Sequence, residues 1–396
     1  MYTIKNRYLV LIGALLAQLT IAGLYAWSIF SSALQAQRGW TDQETFLPYA
    51  LAQFIFALTT LISGRLVDKK GPRPALFIGG VLYGSGLILS AFVTQAWMLY
   101  ITYGLILGAG VGFVYVCPLS TLIKWFPDKK GLITGLAVAI FGGGSILFKE
   151  IKTSLLASYT ISESFLILGL VSLVTIVIGG LLTNNPQEDK KTKVEKTVGD
   201  YSSKEMVKTK DFKAMWFMYW LAVTPGLLIL GTAKQIGMDV ASLDSSLASG
   251  VISVLALANA TSRLVSGSLS DRFGTLRVLR GIYILTVISL VTLSFMGHVQ
   301  PVFYLAVAGV AVGYGGFLSL FPTLTLQKFG SFRYGSNYGI VFQAYGLAAL
   351  TGIFIKDLAG SYTMTFIISA ISSVVGLYLA MTLKDKPEAT ALKKAS

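Results

Sequence analysis

Gly64-Arg-Leu-Val-Asp68-Lys-Lys-Gly71-Pro-Arg73 returns later in the chain as Gly267-Ser-Leu-Ser-Asp271-Arg-Phe-Gly274-Thr-Leu-Arg277. In each copy an apolar run ends at an Asp, a Gly permits a tight turn, and a cation opens the next apolar run. The first copy follows the second long apolar run and the second copy follows the eighth. Six runs therefore separate them, and the chain reads as two like halves, each closed by the same bracket.

Long apolar stretches with few charges place spans at residues 8–32, 47–67, 74–94, 97–123, 131–151 and 162–183, and again at 213–236, 246–268, 276–296, 301–326, 336–357 and 362–383. A span needs roughly 20 apolar residues at a rise of about 1.5 Å each. The reading is an all-α polytopic membrane protein of twelve transmembrane helices in two six-helix bundles. The expected divisions are a first bundle at 1–183, a linker at 184–212, a second bundle at 213–383 and a tail at 384–396. The linker stands out because it is lysine-rich and lacks aromatic core material.

Composition agrees. Of 396 residues 54% are hydrophobic and only 13% charged, which excludes a water-soluble globule, whose surface needs about a quarter charged residues. Mean hydropathy is +0.70. The formal charge of +14 does not point to nucleic acid, because the Lys and Arg sit between apolar runs or at the chain ends, with no basic-aromatic patch. They fall mostly in alternate connections: Arg65, Lys69, Lys70 and Arg73; Lys124, Lys129 and Lys130; the linker; Arg272, Arg277 and Arg280; Lys328, Arg333 and the tail. The positive-inside bias then puts both termini in the cytoplasm, with the bacterial inner membrane as the expected location. Lys5 and Arg7 ahead of the apolar run from Tyr8 imitate a signal peptide, but the run is long and no small-residue cleavage site follows it, so it reads as the first span.

Chemistry is sought among ionisable residues inside spans, because burying a charge costs roughly 2.5 to 3.5 kcal/mol on insertion scales. Arg263 is the strongest candidate, about eight residues before Asp271 and so about 12 Å into span eight. Asn259 lies four residues earlier on the same face, and with Ser266 and Ala256 it makes a narrow polar stripe that should border a cavity. A guanidinium in a low-dielectric site is a planar partner for a carboxylate, and no Asp or Glu occupies the middle of a span to neutralise it. The expected cargo is a small organic anion. The bland alternative is an arginine that snorkels to the interface. Glu150 with Lys149 and Lys152, and Lys356 with Asp357, read as interfacial anchors at the ends of spans five and eleven. Lys234 reads either as a helix-end cation or as an attractor of anions at the external mouth.

Gln18 and Tyr25 share one face of span one, while Tyr314 and Tyr345 lie inside spans ten and eleven, and buried hydroxyls need partners. Gly104, Gly108 and Gly112 form a small-residue packing face, as do Gly131, Gly135 and Gly142 to Gly144. One histidine, His298, and one cysteine, Cys117, leave no metal constellation or disulfide, and no phosphate loop or hydrolase motif appears. No cofactor and no enzyme activity are expected.

The paired loop signature resembles that of the major facilitator superfamily, over the whole chain. Tyr25-Ala-Trp-Ser-Ile-Phe30, Gly112-Phe-Val-Tyr115-Val-Cys-Pro118 with Lys124-Trp-Phe-Pro127, and Ser336-Asn-Tyr-Gly339 further resemble the oxalate:formate antiporter family, itself similar to bacterial lactate and pyruvate carriers. The resemblance implies organic-anion transport with an accompanying proton or an exchanged anion, by a carrier expected to be monomeric. It implies that Arg263 binds the substrate carboxylate and that Asn259, Tyr115, Tyr314 and Tyr345 orient the remainder; Tyr25 and Phe113 are expected as wall residues. Gly64, Asp68, Gly71, Arg73, Gly267, Asp271, Arg272 and Gly274 would form the cytoplasmic gating loops. Oxalate carriers of the family place a lysine where this chain has Tyr345, which turns the expectation from a dianion toward a monocarboxylate such as lactate or pyruvate. The animal monocarboxylate carriers have an aspartate four residues before the arginine and a lysine in span one, both absent here, so their proton-coupling scheme does not carry over. Two other readings are an oxalate:formate-type exchanger and, in a different class, a non-transporting membrane sensor.

Overall fold

The computed structural model describes residues 6–186 and 199–384. The middle of the linker and the tail beyond Lys384 lie outside that range. The described residues form twelve membrane-spanning helices: α1 Arg7–Arg38, α2 Asp42–Lys70, α3 Pro72–Ser90, α4 Ala96–Trp125, α5 Lys130–Ser158 and α6 Ile161–Leu182 make up one half. The other half comprises α7 Lys210–Gly231, α8 Ser245–Phe273, α9 Thr275–Met296, α10 Gln300–Phe329, α11 over residues 334–359 and α12 Tyr362–Thr382. Eleven of these are continuous, long and apolar enough to cross a bilayer. The other, α11, is divided at Phe342 into Tyr334–Val341 and Gln343–Ala359, each too short alone.

The helices overrun the apolar stretches because polar residues at their ends satisfy the terminal backbone groups. Thr41 and Glu44 form a capping box that starts α2, and Thr160 and Glu163 do the same for α6. Gly71 and Gly274, with φ of +80° and +90°, end α2 and α8 in a conformation that a side chain resists. The glycines of α4 face α2: a Cβ at Gly108 would lie 2.7 Å from Ala52 backbone, and one at Gly112 only 2.5 Å from the Phe56 carbonyl. Their lack of a side chain lets the two helices touch backbone to backbone.

Span one is not a regular helix. Residues Ala22–Ala26 wind as a 3-10 segment between two α-helical pieces. Lys152 of α5 explains what holds this break. Its ammonium donates to the carbonyls of Gly23 (2.9 Å) and Ala26 (3.1 Å) and lies 4.6 Å from the centre of the Phe30 ring. At 3% exposure Lys152 is a buried cross-link rather than an interfacial anchor, correcting the sequence reading. The tightened segment has freed carbonyls from the helical ladder, and a long cation satisfies them. The side chains of Lys234, Lys356 and Asp357 lie outside the described ones.

The two halves meet on the face from which the linker runs. Asp68, at the end of α2, accepts from the backbone N–H of Gly335 (3.2 Å) and Ser336 (2.9 Å) and from the Ser336 hydroxyl (2.6 Å). It thereby caps the first turn of α11 in the opposite half, where exposed N–H groups and the helix dipole favour an anion. Gly64 lies directly beneath: a Cβ there would stand 2.2 Å from the Gly335 carbonyl. Two turns deeper the Gln343 amide donates to the Ala57 carbonyl at 2.6 Å. The linker joins this closure, since Asn337 donates to the Tyr201 carbonyl (2.9 Å) and accepts from the Ser203 hydroxyl (2.8 Å).

The second bracket is placed likewise against α5. Asp271 lies beside the backbone of Leu132, and a Cβ on Gly135 would meet the Arg263 carbonyl at 2.8 Å and the Gly267 Cα at 3.7 Å. Arg272 is exposed and lies over the ring of its neighbour Phe273. Arg73 bonds within its own half. It donates to the carbonyls of Thr183 (3.1 Å) and Leu181 (2.9 Å), stapling α3 to the end of α6. Arg280 repeats this in the other half, on the carbonyls of Ala380 (3.1 Å) and Leu383 (2.9 Å), so it rather than Arg277 is the structural counterpart of Arg73.

Candidate functional site

On the face opposite the linker the halves part around a cavity of about 370 Å³, bounded among others by Tyr25, Ser28, Tyr49, Gln235, Ala256 and Asn259. Arg263 is not in its lining but lies behind two residues that are, Gly142 and Asn259. Helical periodicity puts Asn259 and Arg263 one turn apart on the face of α8 that meets α5, and the Asn259 side-chain oxygen accepts from the guanidinium Nε at 2.9 Å. The guanidinium Nη1 donates to the Val138 carbonyl in the opposite half. Gly142 makes room for this: a Cβ there would lie 2.6 Å from Arg263 Cζ.

Arg263 is fully buried, and its remaining nitrogen, Nη2, has no hydrogen-bond partner among the described residues. Among the described residues the ion pairs are Lys149–Glu150 (3.4 Å) and Lys328–Asp211 (2.7 Å), and neither involves Arg263. A buried charged donor left unpaired costs upward of about 1–3 kcal/mol, so Nη2 has room for one further acceptor.

Three tyrosine hydroxyls converge beside it from both halves. The Tyr25 oxygen lies 3.1 Å from that of Tyr345 and 3.4 Å from that of Tyr314, and Tyr314 and Tyr345 are 3.2 Å apart. The 3-10 segment of α1 carries Tyr25 inward. Tyr314 is seated over Gly226 of α7, while its neighbour Gly315 abuts Asn259, so the triad and the arginine share one wall. Tyr115 stands within a ring cluster, with centroids 5.0 Å from Phe56, 5.3 Å from Phe141 and 5.2 Å from Phe342. Phe342, at the break in α11, stacks on Tyr345 at 4.7 Å.

Arg263, Asn259, Tyr25, Tyr314 and Tyr345 are thus brought together, with Tyr115 packed in the adjoining aromatic layer. Phe113 is not: it is only partly buried and sets its Cβ against Gly79 of α3, outside the residues that line the cavity. Gln18 is buried with both amide atoms unpartnered among the described residues. Sequence reasoning missed Gln53 of α2, which is 1% exposed, accepts from Tyr345 at 3.2 Å and donates to Tyr49 at 2.8 Å. A lone amide in an apolar run was its available signal.

Two like halves of six helices, closed at one face and open at the other around a buried cation, define a membrane carrier for small molecules. The chain belongs to the Major Facilitator Superfamily, whose family model matches residues 10–353. It is 30% identical over 347 residues to an uncharacterized MFS-type transporter, YhjX, of Escherichia coli (strain K12), covering 87% of this chain and 86% of that protein. It is 29% identical over 383 residues to the oxalate:formate antiporter of Oxalobacter formigenes, covering 95% and 91%. The crystal structure of the E. coli fucose:proton symporter FucP superposes with a TM-score of 0.70 over 94% of this chain and 98% of that one, at 16% identity, a likeness of fold.

Proposed function

We propose that the protein is a secondary active transporter of small monocarboxylates of the lactate and pyruvate type, with Arg263 holding the substrate carboxylate. It works by alternating access, the two bundles rocking about a site near the midplane. The observation that carries the reading is Nη2 of Arg263, a fully buried charged donor without a partner among the described residues, set behind Asn259, which lines the cavity together with Tyr25. One cation suits one carboxylate, because a second negative charge would stay uncompensated in a low-dielectric site. Asn259, Tyr314, Tyr345 and Tyr25 orient the rest of the molecule, and Tyr115 shapes the aromatic floor. The linker face is cytoplasmic by the lysine and arginine bias, so the cavity faces outward and the bacterial inner membrane is the location. A single chain supplies the whole site, and a co-transported proton or an exchanged anion balances the charge.

The test is uptake of labelled lactate, pyruvate, formate and oxalate into proteoliposomes, with and without a pH gradient or internal anions. Arg263→Gln should lower uptake by about 10- to 100-fold, the range of one or two hydrogen bonds to a charged group, while the protein stays monodisperse. A variant that transports at the normal rate sinks the assignment. Similarity to the Oxalobacter formigenes antiporter favours an oxalate:formate-type exchanger as the second reading, which requires counter-anion inside the vesicles.

A further inference from the structure

The hydroxyl network beside Arg263 has a direction, set from outside the triad. Gln53 donates through its side-chain nitrogen to Tyr49 at 2.8 Å, which turns its oxygen toward Tyr345 at 3.2 Å. A tyrosine has one hydroxyl hydrogen and two lone pairs. Tyr345 gives its hydrogen to Gln53, so its lone pairs can only accept, and the oxygens lying 3.1 Å and 3.2 Å away, Tyr25 and Tyr314, must each donate to it. Neither of those two has a hydrogen left for the other across their 3.4 Å separation, nor for a ligand. Tyr25 and Tyr314 therefore offer lone pairs only. A guanidinium, by contrast, offers only donors.

We infer that the site is built for 2-hydroxy carboxylates in preference to 2-oxo carboxylates, with Gln53 as the residue that sets the preference by consuming the Tyr345 hydrogen. The carboxylate of such an acid accepts from Arg263, and its hydroxyl donates to Tyr25 or Tyr314. A 2-oxo acid brings only acceptors, and seating it requires a phenol to abandon Tyr345. This rests on the monocarboxylate reading above and narrows it. Gln53 acts through Tyr345 and is a positioning residue.

Calorimetric titration of the purified full-length protein with lactate, glycolate, pyruvate, glyoxylate and propionate tests it. Lactate should bind about tenfold more tightly than pyruvate or propionate, the value of one good hydrogen bond. In Gln53→Leu the Tyr345 hydrogen is released toward the triad, and the lactate-to-pyruvate ratio should fall toward one, chiefly by tighter pyruvate binding. A merely structural role would weaken all five acids together. Tyr345→Phe, which removes the acceptor that Tyr25 and Tyr314 share, should move the ratio in the same direction and serves if Gln53→Leu does not fold. Pyruvate binding as tightly as lactate to the unaltered protein, or a ratio unmoved in a monodisperse variant, overturns the inference. Binding of none of the acids overturns the monocarboxylate reading itself.

Discussion

Arg263 stands out in the sequence because a guanidinium inside an apolar run is expensive, and the structure gives it Asn259 as an intrahelical mate and no acid among the described residues. What no spacing revealed was the Val138 carbonyl, because a backbone acceptor leaves no mark on residue type. Gly142 was legible only as a small residue for packing, yet it creates the slot in which the guanidinium lies. Gly142→Ala should therefore weaken acid binding by about tenfold, a displacement worth roughly one hydrogen bond, in a protein that still folds. Calorimetric titration with lactate checks it, and an unchanged affinity means the slot does not hold the guanidinium in its binding pose. Gln53 escaped notice for a different reason: its importance depends on partners in α1, α10 and α11 that only the folded arrangement assembles.

The twelve helices were readable from hydropathy, and their ends from caps and glycines, since both signals are local. The interruptions were not. Ala22–Ala26 contains no proline, and its 3-10 winding is stabilised by Lys152, more than a hundred residues away, whose own setting the sequence could suggest only as a helix end. Lys152→Met keeps the length and loses two charge-assisted bonds to carbonyls. It should lower stability by about 3 kcal/mol, seen as an earlier thermal unfolding transition, and an unshifted transition would show that the break in α1 stands without it. The division of α11 at Phe342 has a related origin: Gln343 is drawn to the Ala57 carbonyl of α2, and Phe342 is held between the rings of Tyr115 and Tyr345.

For the molecule as a whole, two halves were legible from the repeated bracket, but which face stands open was not, because the same bracket serves both sides of the cycle. Asp68 on the first turn of α11 is the contact that fastens the linker face. Asp68→Ala should shift the population toward the state open on that face. Spin labels at Lys70→Cys and Arg333→Cys should then report a longer mean separation by pulsed electron resonance, and an unchanged distance distribution would assign the closure to the glycine contacts instead.

The bond from Arg263 to Val138 runs between the two bundles, so the cation that on the proposed reading receives the cargo is also a rivet through the protein. On that reading, rocking the bundles apart without an anion takes the Val138 carbonyl from a buried charge and supplies nothing in its place; with one aboard, the charge is already matched. The unladen return should be the slow leg of the cycle. Vesicles preloaded with unlabelled lactate should accordingly take up labelled lactate several-fold faster than empty ones, and equal rates would place the bottleneck elsewhere.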